Sequence, residues 1–288
     1  MPDFAAGDLR LSLDPDAGAA ITSFDLGAGT ARVPVIVAAA PGGRDSGGSA
    51  LFPMAPFANR VRNNRLVVAG RERLLGPNTA DPLCLHGWAW QRRWRVDRLA
   101  PERCVLSLDL REHGYDLALA YEIALSSAGL SLGLHARNRG PETVPVGLGF
   151  HPYFPRHDDT RIHFAAGSIW QDGPGHLPLG RAAIPEAGDF SRGRALPRDW
   201  RNDCYSGWTG AALVEQPGLG YDLTLRATGA DVLMVYADPG LSRFALEPQS
   251  HVSGETHTGP HGLSELRSGR KTSITLEMRV CPRGGGPA

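Results

Sequence analysis

The chain has 288 residues, with 30 basic and 30 acidic side chains in balance. Zero net charge argues against a nucleic-acid binder, which shows a basic excess, and 42% hydrophobic residues argue against a disordered chain. The 36 glycines and 23 prolines, spread along the chain, disfavour long helices. No run of 18 apolar residues suggests a membrane span. The N-terminus MPDFAAGDLRLSL lacks the basic start and apolar core of a secretory signal. Cys84, Cys104, Cys204 and Cys281 form no CxxC pair, so reduced thiols in a cytoplasmic protein are expected.

Period-two alternation dominates. Strands are expected at 9–14, 19–26 and 32–38, then at 66–69 and 92–98. Between them, Pro41 to Ser49 is glycine-rich and reads as a flexible loop. Leu106, Leu108 and Leu110 alternate with Ser107 and Asp109. Leu117, Leu119, Tyr121, Ile123 and Leu125 repeat the pattern, as do Leu130, Leu132 and Leu134, and the Ser126-Ser127-Ala128-Gly129 link makes a hairpin. Further strands are expected at 143–150, 211–215, 221–226, 231–236, 243–247 and 274–280. Residues 172–202 are rich in Gly, Pro and Arg and read as a long surface excursion of the kind that often carries function. Residues 262–268 suggest a helical turn or two, and 282–288 a disordered tail. Many short strands with Gly/Pro turns imply an all-β class, one large antiparallel sandwich domain over residues 1–281.

Five places depart from plain strand pattern. In Leu51 to Arg62, two prolines break any ladder and Asn59-Arg60 follows an apolar run. His86, between Leu85 and Gly87-Trp88, either faces a ligand or packs. His151 precedes Pro152, which forces extended backbone at a strand end, and Gly147 and Gly149 leave room for close approach. Glu247 precedes Pro248 at the end of an apolar strand, either exposed at a rim or held in a cleft. His251, His257 and His261 with Glu255 could suggest a metal, but Gly259-Pro260 forbids the helix that would align His257 with His261, and no metal site is expected. The six tryptophans Trp88, Trp90, Trp94, Trp170, Trp200 and Trp208 could stack on a sugar or pack. No P-loop, GxGxxG or GxSxG pattern is present.

Taken in order, Phe52-Pro53, Asn59-Arg60, His86-Gly87, His151-Pro152-Tyr153-Phe154, Asp203 and Glu247 resemble the motif series of the aldose 1-epimerase (galactose mutarotase) family, from about residue 50 to 280. The resemblance implies a galactose mutarotase-like supersandwich with a sugar cleft on one concave sheet. It also implies interconversion of the α and β anomers of an aldose without cofactor or metal. By analogy, Glu247 is the general base, His151 the general acid, and Arg60, His86, Asp203 and Asn59 bind the sugar. The expected partner is a small sugar, with no nucleic acid or membrane, for a monomer or homodimer. Three differences from the family pattern concern the particular sugar. Phe150 stands where Asn often precedes the histidine, and Pro248 where Thr or Ser often follows the glutamate. The Arg-Gly-Gly and aromatic-Pro-Trp elements of hexose-phosphate mutarotases are unmatched. A sugar-phosphate enzyme using Arg44, Arg62 or Arg65, a non-catalytic sugar sensor, and a glycosidase built on Asp203 and Glu247 are the competing expectations.

Overall fold

In the computed structural model, which describes residues 1–27, 29, 31–38, 49–254, 257, 259 and 261–284, the alternation builds two large antiparallel sheets. The nine-stranded sheet has as its centre Tyr221–Thr228, Lys271–Pro282, Gly129–Asn138 and Leu117–Ser126. The expected hairpin pairs Leu117 with Asn138 through to Ser126 with Gly129, so Ser127 and Ala128 form the turn. The second sheet runs from Pro178–Ala182 through Ser168–Asp172, Arg201–Ser206, Val232–Ala237 and Arg243–Gln249 to Gly149–Phe150 and Pro53–Met54, with Tyr153–Pro155 also on Arg243–Gln249.

The two sheets bury a shared core. Leu106, Leu117, Tyr121 and Leu132 from the first belong to one buried cluster with Tyr205, Val235, Phe244 and Leu246 from the second. The N-terminal sheet, with Leu9–Asp14 and Ala20–Leu26, adds Leu9, Leu11, Leu13 and Phe24 to that cluster. Each strand turns alternate residues to this interior, so its other face is left to water or to a cleft.

Two expected elements differ. Residues 262–268 are not helical: Ser264–Leu266 is a strand paired with Val144–Val146. Gly262 and Gly269 bracket a segment too short to nucleate a helix, and the ladder satisfies its backbone. The 172–202 excursion contains the strands Pro178–Ala182 and Arg194–Ala195. Pro178–Ala182 is an edge strand with Leu179 turned to solvent, so it has no apolar alternation to read. At the C-terminus the last strand reaches Pro282 and Arg283 pairs with Asp222, so these two residues, expected in a disordered tail, belong to the fold. Residues 41–48 of the expected loop (Arg44 included), Glu255, and residues 285–288 lie outside the described residues.

Candidate active site

Every residue of the strand Arg243–Gln249 is buried. Alternation sends Phe244 and Leu246 into the core and Arg243, Ala245, Glu247 and Gln249 to the opposite face. On the neighbouring chain, Gly149 lies opposite Gln249 and Tyr153 opposite Ala245. His151 therefore falls opposite Glu247. The His151 Nε2 to Glu247 Oε1 distance is 3.1 Å, with the two side chains 6% and 3% exposed. The small residues are required: a Cβ on Gly149 would lie 2.7 Å from Met54 Cε and 3.0 Å from the Pro248 carbonyl.

A second layer is built by two loops that meet through the bridges Ala55 to Gly87 and Arg60 to Leu85. Asn59 and His86 both take left-handed backbone, with φ of 59° and 60°. The Asn59 N–H donates to His86 Nδ1 at 3.0 Å. That nitrogen is thus an acceptor, and in neutral His86 the proton sits on Nε2. Asn59 Oδ1 accepts from the Arg60 N–H at 2.9 Å, and the Arg60 guanidinium reaches Asp81 Oδ2 at 2.7 Å. Phe52 stacks under His151 with centroids 4.8 Å apart, while His86 meets the same ring edge-on at 5.2 Å and Tyr153 lies tilted against it at 4.5 Å.

His251 acts as a strut. Its Nε2 accepts the Ala58 N–H and its Nδ1 faces the Val252 carbonyl, both at 2.9 Å. A Cβ on Gly147 would lie 2.2 Å from the His251 ring, which accounts for that glycine. Both ring nitrogens are engaged, so His251 is no metal ligand alongside His257 and His261.

Burial sets the charge states. It pushes Glu247 up to about 8, against the opposing hydrogen bond from Gln249 and the charge of Arg60. Burial likewise pulls His151 down to about 3, reinforced by the Arg243 charge. His86 is held well below its ordinary value, first by burial and then by the neighbouring charges of His151 and Arg60. Arg243 lies 4.0 Å over the Tyr153 ring, and its Nη1 has no hydrogen-bond partner among the described residues. The pair thus favours its uncharged arrangement, carboxyl and neutral imidazole. Moving one proton across 3.1 Å converts it to carboxylate and imidazolium.

Five of the six expected site residues, Asn59, Arg60, His86, His151 and Glu247, line one cleft of about 170 Å³. That is below the roughly 300–1,000 Å³ of pockets for drug-sized ligands, so the cleft suits one small molecule. A larger hollow of about 530 Å³ beside Met1 and Trp94 brings no buried acid or histidine to its wall.

Asp203 corrects the expectation. In Arg201–Ser206, Asn202 pairs opposite Tyr236, which lines the cleft, whereas Asp203 pairs opposite Val235, which lies in the core. Paired residues share a face, so Asp203 points through the sheet away from Glu247, with Arg201 at 3.6 Å. Burial raises its pKa, with Arg201 opposing.

Several residues in or against the site escape the sequence reading. Gln249 donates from Nε2 to Glu247 Oε2 at 2.9 Å; its i+2 position after Glu247 was the signal for a shared face. Asn202, Tyr236 and His176 line the cleft without any motif. Of the tryptophans, Trp200 reaches the cleft and is 44% exposed, whereas Trp88, Trp90, Trp94 and Trp208 are buried. Phe150 is a core residue, its ring 6.0 Å from Tyr121.

Comparison with known proteins bears on the family and the fold. The family model described as aldose 1-epimerase matches residues 14–279. The uncharacterized protein YphB of Escherichia coli (strain K12) is 34% identical over 241 residues, covering 80% of this chain and 83% of YphB. Among solved structures, a provisionally assigned aldose 1-epimerase of Escherichia coli K12 superposes with a TM-score of 0.88 at 31% identity, over 97% of this chain and 98% of that one. A GalM/aldose epimerase homologue from C. elegans gives 0.80 at 18% identity, over 98% of each chain, a likeness of fold.

Proposed function

Because the chain belongs to the aldose 1-epimerase family, we propose that it interconverts the α and β anomers of a free aldohexose, with Glu247 and His151 as the acid/base pair. The observation that carries this reading is the buried contact of 3.1 Å between His151 Nε2 and Glu247 Oε1 on the cleft floor, within the wall formed by Arg60 and His86.

Mutarotation removes the proton of the C1 hydroxyl and delivers one to the ring oxygen. The C1–O bond of the ring breaks, the open aldehyde turns about C1–C2, and the ring oxygen attacks the other face as both protons return. O1 and the ring oxygen are attached to the same carbon, so two groups in contact across a cleft are spaced to serve both once the sugar comes between them. With the shared proton on His151, Glu247 takes the C1 proton and His151 protonates the ring oxygen; closure reverses the roles. Each such group contributes about 10²–10⁴ in rate. His86, donating from Nε2, and Arg60 would hold hydroxyls or steady charge on the ring oxygen.

An uncharged sugar is favoured over a phosphorylated one. Arg62 donates to the Pro178 carbonyl at 2.9 Å and Arg65 is paired with Glu72, so two of the three arginines suggested for phosphate are engaged, and the third, Arg44, lies outside the described residues.

Polarimetry of freshly dissolved α-glucose and α-galactose tests the reading. The protein should speed the approach to equilibrium, and Glu247→Gln should lower that rate by about 10²-fold or more while calorimetry still records sugar binding. An unchanged rate in the variant would remove Glu247 from the chemistry. Binding without acceleration by the wild type would mark a sugar-binding protein instead.

A further inference from the structure

The sheet runs from Arg201–Ser206 through the Glu247 strand to Pro53–Met54, beside which the His86 and Arg60 loops lie, so the cleft residues of the 172–202 segment, His176, Trp200 and Asn202, line its far side. Asp172 ties two of them together. Its Oδ2 lies 3.0 Å from His176 Nδ1, and its Oδ1 accepts from Asn202 Nδ2 at 3.2 Å. A carboxylate only accepts, so neutral His176 carries its proton on Nδ1 and keeps the Nε2 lone pair. The same constraint fixes the Asn202 amide with its nitrogen on Asp172, leaving its oxygen to accept elsewhere.

His86 is the opposite tautomer. Its Nδ1 accepts from the Asn59 N–H, so its Nε2 donates, and the Arg60 guanidinium can only donate. The cleft therefore has a donor wall and an acceptor wall. At the mouth of the acceptor wall, the indole of Trp200 is 44% exposed. It is braced edge-on by Tyr236 at 5.3 Å and 87°, and by a tilted His176 ring at 5.6 Å and 35°. Such a face suits the C–H side of a sugar ring.

We propose that His176, Asn202 and Trp200, with Asp172 as the positioning residue that fixes the tautomer, form the specificity wall for a neutral pyranose. The wall takes hydroxyls remote from C1 that act as donors. The proposal rests on the mutarotase reading for the placement of C1 at Glu247, but its electrostatic pattern can be read by binding alone.

Monodeoxy and monofluoro derivatives of glucose and galactose separate the two walls, because fluorine accepts weakly and cannot donate. At the position facing His176, both replacements should raise KM about 3- to 10-fold, the worth of one hydrogen bond. At a position served by His86, fluorine should be tolerated better than hydrogen. His176→Ala should raise KM for the parent sugar by the same factor, leave kcat within about twofold, and abolish the penalty at one position of the panel. Asp172→Asn should place an amide donor against His176 Nδ1, reverse the tautomer, and make the fluoro sugar preferred over the deoxy sugar at that position. An unchanged KM and replacement profile in His176→Ala, or a loss confined to kcat, would overturn the wall. If His176→Ala does not fold, His176→Gln serves, since it keeps a carbonyl acceptor and should retain part of the penalty. If no aldose is turned over, the proposed function fails on its own, and calorimetric Kd values across the same panel decide the wall. Values insensitive to His176, or no binding, overturn it.

Discussion

The side-chain amide of Gln249 donates to Oε2 of Glu247 at 2.9 Å, from two residues along the same strand. One carboxyl oxygen is thereby committed, and the other faces His151. The bond favours the charged carboxylate and works against the burial that raises Glu247 to about 8. In Gln249→Leu the pKa of Glu247 should rise further. The uncharged arrangement of the pair is then favoured over the carboxylate and imidazolium that begin the reaction, and because the working pair carries one shared proton, the descending limb of the kcat/KM profile near pH 8 moves to higher pH. Activity at pH 7 should drop by roughly three- to tenfold, with the gap to wild type narrowing at pH 9. A residue needed only for packing would lower activity at all pH values equally, so the position of the limb is the deciding measurement.

Glu247 and the buried histidines also give opposite pH dependences of stability. The folded state holds the Glu247 proton up to about 8, whereas the unfolded chain releases it near 4.5. Between those values the folded state binds more protons, so this group makes stability fall as pH rises. His151 and His251, lowered to about 3 and about 4 from 6.5, act the other way: the unfolded chain binds more protons below 6.5, and stability falls as pH drops. Above 6.5 the glutamate contribution stands alone among these three. Thermal unfolding should show a decline from pH 6.5 to 8 of at most about 1.4 kcal/mol per unit. Glu247→Gln should be flat over that window and gain on the wild type as pH rises. A parallel decline in both proteins would place the titration elsewhere.

The strands were legible where one face is apolar and the other is not. Leu117–Ser126 announces itself because Leu117, Leu119, Tyr121, Ile123 and Leu125 all face the core. Arg201–Ser206 does not: its first three residues are polar and equally half-buried, so nothing in the local pattern says whether Asn202 or Asp203 meets the cleft. A one-residue shift of parity exchanges the faces, and the choice is made by pairing with Val232–Ala237, a contact between distant parts of the chain. Glu247, His151, His86 and Arg60 could be read because prolines, glycines and neighbouring aromatics mark the places where strands break. His176 and Trp200 come together only through tertiary folding of a Gly- and Pro-rich stretch that has no period.

That parity yields a contrast between two acids. Asp203 lies on the core-facing side of its strand with Arg201 at 3.6 Å, whereas Glu247 faces the cleft. Asp203→Asn should therefore leave kcat and KM within about twofold of wild type, because it keeps the shape and removes no group from the cleft. Asn202→Ala should raise KM. The reverse outcome, with Asp203→Asn weakening sugar binding and Asn202→Ala silent, would mean that the strand presents its other face in solution.

The donor wall depends on a glycine. Gly87 has φ of +66°, and a Cβ there would sit 2.2 Å from the carbonyl oxygen of Ala55, the residue it bridges. The obstacle is backbone rather than a pliable side-chain tip, so relief requires the 55–62 and 84–87 loops to part. Parting them pulls His86 Nδ1 from the Asn59 N–H, which lies only 3.0 Å away. Gly87→Ala should cost about 3 kcal/mol or more, lowering the melting temperature by roughly 6–12 °C for a chain of this size. It should raise KM through the displaced imidazole. Gly76→Ala provides the control, because its Cβ would meet nothing within 4 Å and its backbone is not left-handed. That variant should stay within about 0.5 kcal/mol of wild type. Equal melting temperatures for the two variants would show that the approach of Ala55 to Gly87 does not hold the His86 loop in place.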